Sequence, residues 1–269
     1  MRYADRPIPV LELPPTALEY RSVPVDRADP RAAEPLVQLS DYGIAGSNYY
    51  ARTDGGNPPY GRRIAGAIDA LLARRSVAER LAAANARLRT LGLELYVVDA
   101  YRSPECQRGI WDFFWRKFSA AGYASPDLEN QVGRYVSDPR KFDPQDEKSW
   151  PLHSTGGAID ATLRPLSASR LLEMGTHIDD ASAVSQTSYF ELRLASNRLS
   201  TAEEAAMRHR RVLFWHMIEA GFTNYSYEYW HYDYGNQMYA LLMGQQKDVV
   251  PQAAFYPFIA LEETGATVR

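Results

Sequence analysis

The run Leu93-Glu-Leu-Tyr-Val-Val-Asp99 constrains the architecture more than any other stretch of this chain. It is short, β-branched and aromatic, the pattern of a strand covered on both faces, and it is expected near the centre of a sheet. Helical patterns flank it. Residues 62 to 91 read as helical with a break at Ser76-Val-Ala-Glu79, whose spacing fits a capping box that opens a second helix. Val77, Leu81, Ala84, Leu88 and Leu91 fall on one stripe of that helix, and Gly92 closes it. Beyond the strand, Ser103-Pro104 offers an N-cap followed by proline at the first helical position, which predicts a helix from Pro104 to about Ala120.

Residues 123 to 149, with Pro126, Pro139 and Pro144 among many charges, read as a long loop, and loops of that length are often lids or pocket walls. The box Ser200-Thr-Ala-Glu203 opens another helix through Ala220, ended by Gly221. Tyr225 to Tyr234 is dense in aromatic residues and reads as a strand. Helices and strands alternate without an even βαβ rhythm, so the fold class is α+β.

Composition narrows the function classes. Hydrophobic residues at 45% and charged residues at 23% indicate a globular domain, here expected to span residues 1–269 as a single unit. The proline-rich stretch over residues 7–35 reads as extended chain, within an N-terminal segment over 1–40 that wraps the core. A net charge of −3 supplies no basic field, so no nucleic-acid partner is expected. The N-terminus lacks an apolar signal stretch and no run reaches membrane-spanning length, which points to a cytoplasmic protein with no membrane partner. The single cysteine, Cys106, permits no internal disulfide and reads as a small buried hydrophobe.

Two constellations carry chemistry. In His153-Ser-Thr-Gly-Gly-Ala-Ile-Asp160 an imidazole and a carboxylate flank a glycine pair that lets the backbone turn sharply, so the two side chains can converge. In Glu228-Tyr-Trp-His231 an acid precedes a histidine by three residues. Zinc accepts imidazole nitrogen and carboxylate oxygen, and a catalytic site uses three protein ligands with one position left open. His153, Asp160 and His231 satisfy that count, and Glu228 is then free to move a proton. Residues three apart on a straight strand face opposite ways, so Glu228 and His231 need a bulge or a strand end to meet. Two histidines and a carboxylate also arise by chance, and spacing alone leaves both readings open. His177, His209 and His216 read as surface or satisfied core residues; for His216 a hydrogen bond one helical turn back to Val212 is enough. The aromatic cluster of Tyr225 to Tyr234 reads as pocket wall and core rather than a stacking platform for bases.

At these residues the sequence resembles the VanX-type D-alanyl-D-alanine dipeptidases, a group related to hedgehog-like domains and D-Ala-D-Ala carboxypeptidases. The family motif Ser-x-His-x-x-Gly-x-Ala-x-Asp is met over residues 151–160 at every element but the first, which is Pro151. Its motif Glu-x-Trp-His is met by Glu228, Trp230 and His231. Asp99-Ala-Tyr-Arg102 resembles the segment bearing a carbonyl-polarising arginine, and Met174-Gly-Thr176 with Asp179 resembles the substrate-pocket segment.

The resemblance implies a mainly antiparallel central sheet flanked by helices, one Zn2+ per chain on His153, Asp160 and His231, and a small dipeptide as partner. It implies that Glu228 shuttles the proton and that Arg102 stabilises the developing oxyanion. Asp179 would hold the substrate ammonium group, with Tyr49 and Pro151 also in the substrate-binding set, and Asp99 would fix Arg102 or a metal-bound histidine. The implied function is hydrolysis of D-Ala-D-Ala or a related dipeptide by metal-activated water. The alternatives are a zinc-stabilised binding domain without turnover and a cell-wall peptide carboxypeptidase; the presence of both Glu228 and Arg102 favours catalysis. Proline at 151 has no donor for a substrate carboxylate, which the family serine is thought to meet. A different preferred dipeptide, or a replacement donor such as Arg134 or Arg140, is therefore expected.

Overall fold

The computed structural model describes residues 3–10, 19–196, 198–247 and 249–261. Residues 11–18 of the expected N-terminal segment and 262–269 of the expected single domain lie outside the described residues. Strands β1 (Leu36–Gln38), β2 (Ala45–Gly46) and β3 (Leu72–Arg74) precede α1 (Arg75–Arg89), β4 (Leu93–Asp99), α2 (Pro104–Ala120) and α3 (Asp127–Val132). β5 (Ala158–Pro165), α4 (Tyr189–Ser196), α5 (Thr201–Glu219), β6 (Thr223–Asn224), β7 (His231–Asp233) and α6 (Gln237–Lys247) follow. The main sheet has the order β2-β4-β5-β7-β6, antiparallel except for the β2–β4 pair, and β1 and β3 form a separate antiparallel pair. This is the expected α+β class with a mainly antiparallel sheet. Among the described residues no helix is long and apolar enough to cross a membrane.

β4 forms over the predicted residues, and Leu95 and Val97 are fully buried. α1 packs on β4, and α5 packs on both β5 and α1. Val77, Leu81, Ala84 and Leu88 point the α1 stripe into that core. α2 starts at Pro104 with Ser103 accepting from the Cys106 N–H, and α5 carries the full capping box of Ser200 and Glu203. In the N-terminal segment, Tyr20 and Val23 pack against α6, and Val25 bridges to Ala254.

Four expectations need correction. Residues 62 to 71 are turns rather than helix: Gly66 adopts φ +79° and lies so close to the start of α2 that a Cβ would meet the Cys106 nitrogen at 2.5 Å. The Ser76–Glu79 box does not form, because the Ser76 N–H and hydroxyl both donate to the carboxylate of Glu34. The 123–149 stretch contains α3, whose Leu128 and Val132 are buried beside α2. Finally, the Tyr225–Tyr234 run is a strand only over β7; residues 225–230 are turns, with Glu228 N–H donating to Tyr225 O and His231 N–H to Glu228 O.

Candidate active site

Strand register assembles the site. An irregularity in the pairing of β4 with β5, between Val97 and Asp99, sets Asp99 opposite Asp160, and Asp160 is opposite His231 on β7. Directly paired residues project to the same face, so three chemistry-bearing side chains stand in one row across three strands. His153 joins them from a single 3-10 turn, Leu152–Thr155, that ends at Gly156 with φ +72°. A Cβ there would lie 2.4 Å from Leu36 Cδ2, so only glycine lets the chain swing from this turn into β5. Buried Arg74 holds the turn in place, its Nε donating to Thr155 O at 2.8 Å and its N–H to Gly156 O at 3.0 Å.

The three predicted ligands meet. His153 Nε2 is 3.3 Å from His231 Nδ1, His231 Nδ1 is 3.0 Å from Asp160 Oδ1, and His153 Nε2 is 3.6 Å from the same oxygen. All three residues are buried. Ligands at roughly 2.0–2.1 Å in a tetrahedron are separated by about 3.3 Å, so this triangle has the edge lengths of a zinc site. The tautomers agree. His153 Nδ1 lies 2.8 Å from Ala100 O and must donate there, while His231 Nε2 faces Asp233 at 3.2 Å. With His231 neutral, as a metal ligand must be, the lone pairs of His153 Nε2 and His231 Nδ1 would face each other across the site.

The donor set also favours positive charge between them. Burial first, and then Arg102, push the His153 imidazole down to about 3. Burial acts the same way on His231, but Asp233 and Asp160 outweigh it and raise the group well above its usual value. Asp160 stays below the usual carboxylate range, because His153, His231 and Arg102 overcome the effect of its burial.

Glu228 stands slightly apart, 3.9 Å from His231 Nδ1, on the turn that precedes β7. The strand end supplies the geometry that a straight strand could not. Desolvation, with Asp160 and Asp179 adding to it, pushes its carboxyl up to about 7. Arg102 follows β4 by three residues and donates from Nε and Nη2 to Asp99 Oδ2 at 2.9 and 2.6 Å, from Nη2 to the Tyr50 hydroxyl at 2.9 Å, and from Nη1 to Gln107 Oε1 at 3.2 Å. One Nη1 N–H is left for a substrate. Asp99 Oδ2 also lies 3.2 Å from His153 Nδ1, touching both groups it was expected to fix.

Asp179 lies at φ +60° and accepts the hydroxyls of Tyr50 and Tyr60 at 2.9 and 2.8 Å. Its segment is clamped by buried Arg210 of α5, which donates to the carbonyls of Met174, Gln186 and Val184. Tyr49 is buried beside these residues with its hydroxyl on Pro58 O, and the phenol that reaches both Arg102 and Asp179 is that of Tyr50. Tyr50, Tyr60 and Asp233 were not anticipated. Asp233 had a signal, since a residue two positions after a ligand on a strand shares its face; Tyr60 had none.

These groups line one pocket of about 180 Å³, shared by Arg102, His153, Asp160, Asp179, Glu228 and His231. Pro151, Tyr225 and residues 133–137 also line it. Cys106 is buried, its thiol pushed up to about 12 by that burial, and His216 Nδ1 bonds Val212 O at 2.7 Å as expected.

A D-Ala-D-Ala dipeptidase family profile matches residues 50–248. Two D-alanyl-D-alanine dipeptidases are similar, each 28% identical over 169 residues: one from Synechocystis sp., covering 61% of this chain and 68% of that protein, and one from Escherichia coli, covering 63% and 61%. A solved structure of VanYB in complex with D-alanine-D-alanine overlaps 71% of this chain and 87% of its own, at 19% identity and a TM-score of 0.41. The family profile covers well over half of the chain, including the row, the turn and the pocket residues named above: this protein is a metallopeptidase of the D-Ala-D-Ala dipeptidase family.

Proposed function

We propose that this protein hydrolyses the single peptide bond of a small dipeptide, D-Ala-D-Ala or a related one, with one zinc ion per chain held by His153, Asp160 and His231. The observation that carries the reading is the triangle of three buried donors with Glu228 just outside it and Arg102 in the same pocket, its Nη2 3.7 Å from Asp160 Oδ2. Held by these three residues, such an ion would supply the Lewis acidity for acidifying a water and polarising the scissile carbonyl.

The protein's own groups supply the rest. Glu228 takes a proton from the attacking water onto its carboxylate and returns it to the leaving amine, a role its place just outside the three donors allows. The unclaimed Nη1 N–H of Arg102 donates to the carbonyl oxygen as negative charge develops there. Because Asp99, Tyr50 and Gln107 already fix the guanidinium, little reorganisation accompanies that step. Asp179, oriented by two phenols, accepts the substrate ammonium group. A binding domain that uses zinc only as a staple needs neither a free acid beside the ligands nor a part-open arginine, so these residues support turnover.

The test is to incubate the zinc-loaded protein with D,D-, L,D- and L,L-dipeptides and assay released amino acids. Release from at least one, abolished by chelation and restored by zinc, is the expected result. Stoichiometric zinc with no release from any dipeptide would favour the binding-domain reading.

A further inference from the structure

A dipeptide carries two charged ends, and the site as described has a charged partner for only one of them. Asp179 suits the ammonium group. Arg102 has a single donor left, which the carbonyl requires, and Pro151 offers neither hydroxyl nor N–H. Apart from Arg102, the pocket's one permanent cation among its described lining residues is Arg134.

The wall that presents Arg134 is held firmly. Val132 and Val136 are buried, Tyr135 stacks on Phe114 of α2 with ring centroids 4.1 Å apart, and Gln107 Nε2 donates to Ser137 O at 3.3 Å. Backbone bonds from Arg134 to Gln131 O and from Tyr135 and Val136 to Val132 O close the chain into turns. Arg134 itself is exposed, and among the described residues its guanidinium makes no hydrogen bond or ion pair. Arg140, the other arginine of this stretch, is committed elsewhere: Nη2 meets Asp138 at 2.8 Å and Glu129 at 3.2 Å, and the guanidinium lies over Trp111 and Trp115.

We propose that Arg134 binds the substrate's terminal carboxylate, taking the part that a hydroxyl at position 151 would otherwise play. The inference rests on the dipeptidase reading and makes it more specific. A guanidinium holds a carboxylate through two parallel N–H···O bonds, so the site selects a free C-terminal acid and disfavours an amide or an extended peptide. With Asp179 at one end and Arg134 at the other, both termini are recognised, and chain length is limited to a dipeptide.

The experiment uses the full-length zinc-loaded protein and the Ala-Ala stereoisomer it cleaves fastest, with that dipeptide's C-terminal amide and its N-acetyl derivative. The natural protein is expected to prefer the acid to the amide by roughly tenfold to a hundredfold in kcat/KM. Arg134→Gln should lose most of that preference through a higher KM for the acid, with kcat within a few-fold and KM for the amide affected much less than KM for the acid. Arg134→Lys should recover part of it, and discrimination against the N-acetyl derivative, which reports on Asp179, should not move. An acid-to-amide preference that survives Arg134→Gln overturns the role of Arg134 alone. Absence of turnover by the natural protein on every stereoisomer overturns the dipeptidase reading and this inference with it.

Discussion

On the floor of the pocket, Asp99, Asp160 and His231 stand in register on three paired strands, and each already has a polar partner inside the protein. Along the wall, residues 133–137 and Pro151 sit on turns outside the sheet, and Arg134 makes no side-chain contact of that kind among the described residues. The contrast separates chemistry from selection. Groups that hold a metal must keep their relative positions to a few tenths of an ångström; paired strands provide that for Asp160 and His231, and the turn pinned by buried Arg74 provides it for His153. Groups that choose a substrate need reach and room for change, and turns on a packed support provide those.

If the floor is the metal site, breaking it has the largest effect. His153→Ala or His231→Ala removes one of three ligands, and the expected outcome is loss of both bound zinc and activity, read by metal analysis after dialysis. Stoichiometric zinc in either variant would sink the ligand assignment. Glu228→Ala should divide the two functions of the site. It keeps zinc, because Glu228 is not one of the three donors, yet turnover is expected to fall by about 10²–10⁴-fold with loss of the proton shuttle. Near-normal activity in that variant would place the base elsewhere.

A smaller effect tests how far the floor extends. Asp233 is fully buried and orients His231 through Nε2, so Asp233→Asn weakens the acceptor and leaves the shape nearly unchanged. Zinc affinity is expected to drop by roughly tenfold to a hundredfold in competition with a chelator. An unchanged affinity would mean that the strand alone fixes the imidazole.

The floor was largely legible in the sequence, and the wall was not. His153, Asp160, Glu228 and His231 could be picked out as candidates from their offsets to glycines and aromatic residues, and it was the resemblance of four ordered motifs to a family, not spacing alone, that chose between the two readings. The capped starts of α2 and α5 were readable from local offsets as well. The failures share a cause too. Ser76 and Glu79 have the spacing of a capping box, but Glu34, 42 residues away, takes the Ser76 donors. Tyr50 and Tyr60 reach Asp179 across separations of 129 and 119 residues, and no local pattern announces such a contact. The turn at 225–230 was hidden because its aromatic residues carry the composition of a strand.

The smallest expected effect is at Pro151, and it tests whether the wall is organised around Arg134. Pro151 occupies the N-cap position of the Leu152–Thr155 turn, with φ −66° and no side-chain cap, and its carbonyl accepts from Ser154 N–H. A serine placed there has a competing local partner in the first N–H groups of the turn, as N-cap serines do, so its hydroxyl is not automatically free for substrate. Losing the proline also releases unfolded-chain entropy worth about 0.4–1 kcal/mol in stability. With Arg134 present, Pro151→Ser is therefore expected to change KM for the preferred dipeptide by less than about threefold, at most about half of the 1.4 kcal/mol that a tenfold change represents. In the Arg134→Gln background the same serine should help more, because a carboxylate without its guanidinium gains from any nearby donor, and the double-mutant cycle would show coupling between the two positions. A tenfold gain from Pro151→Ser with Arg134 intact would place the carboxylate over position 151, and the wall would then be an incomplete version of the family's serine site rather than an arginine-based alternative to it.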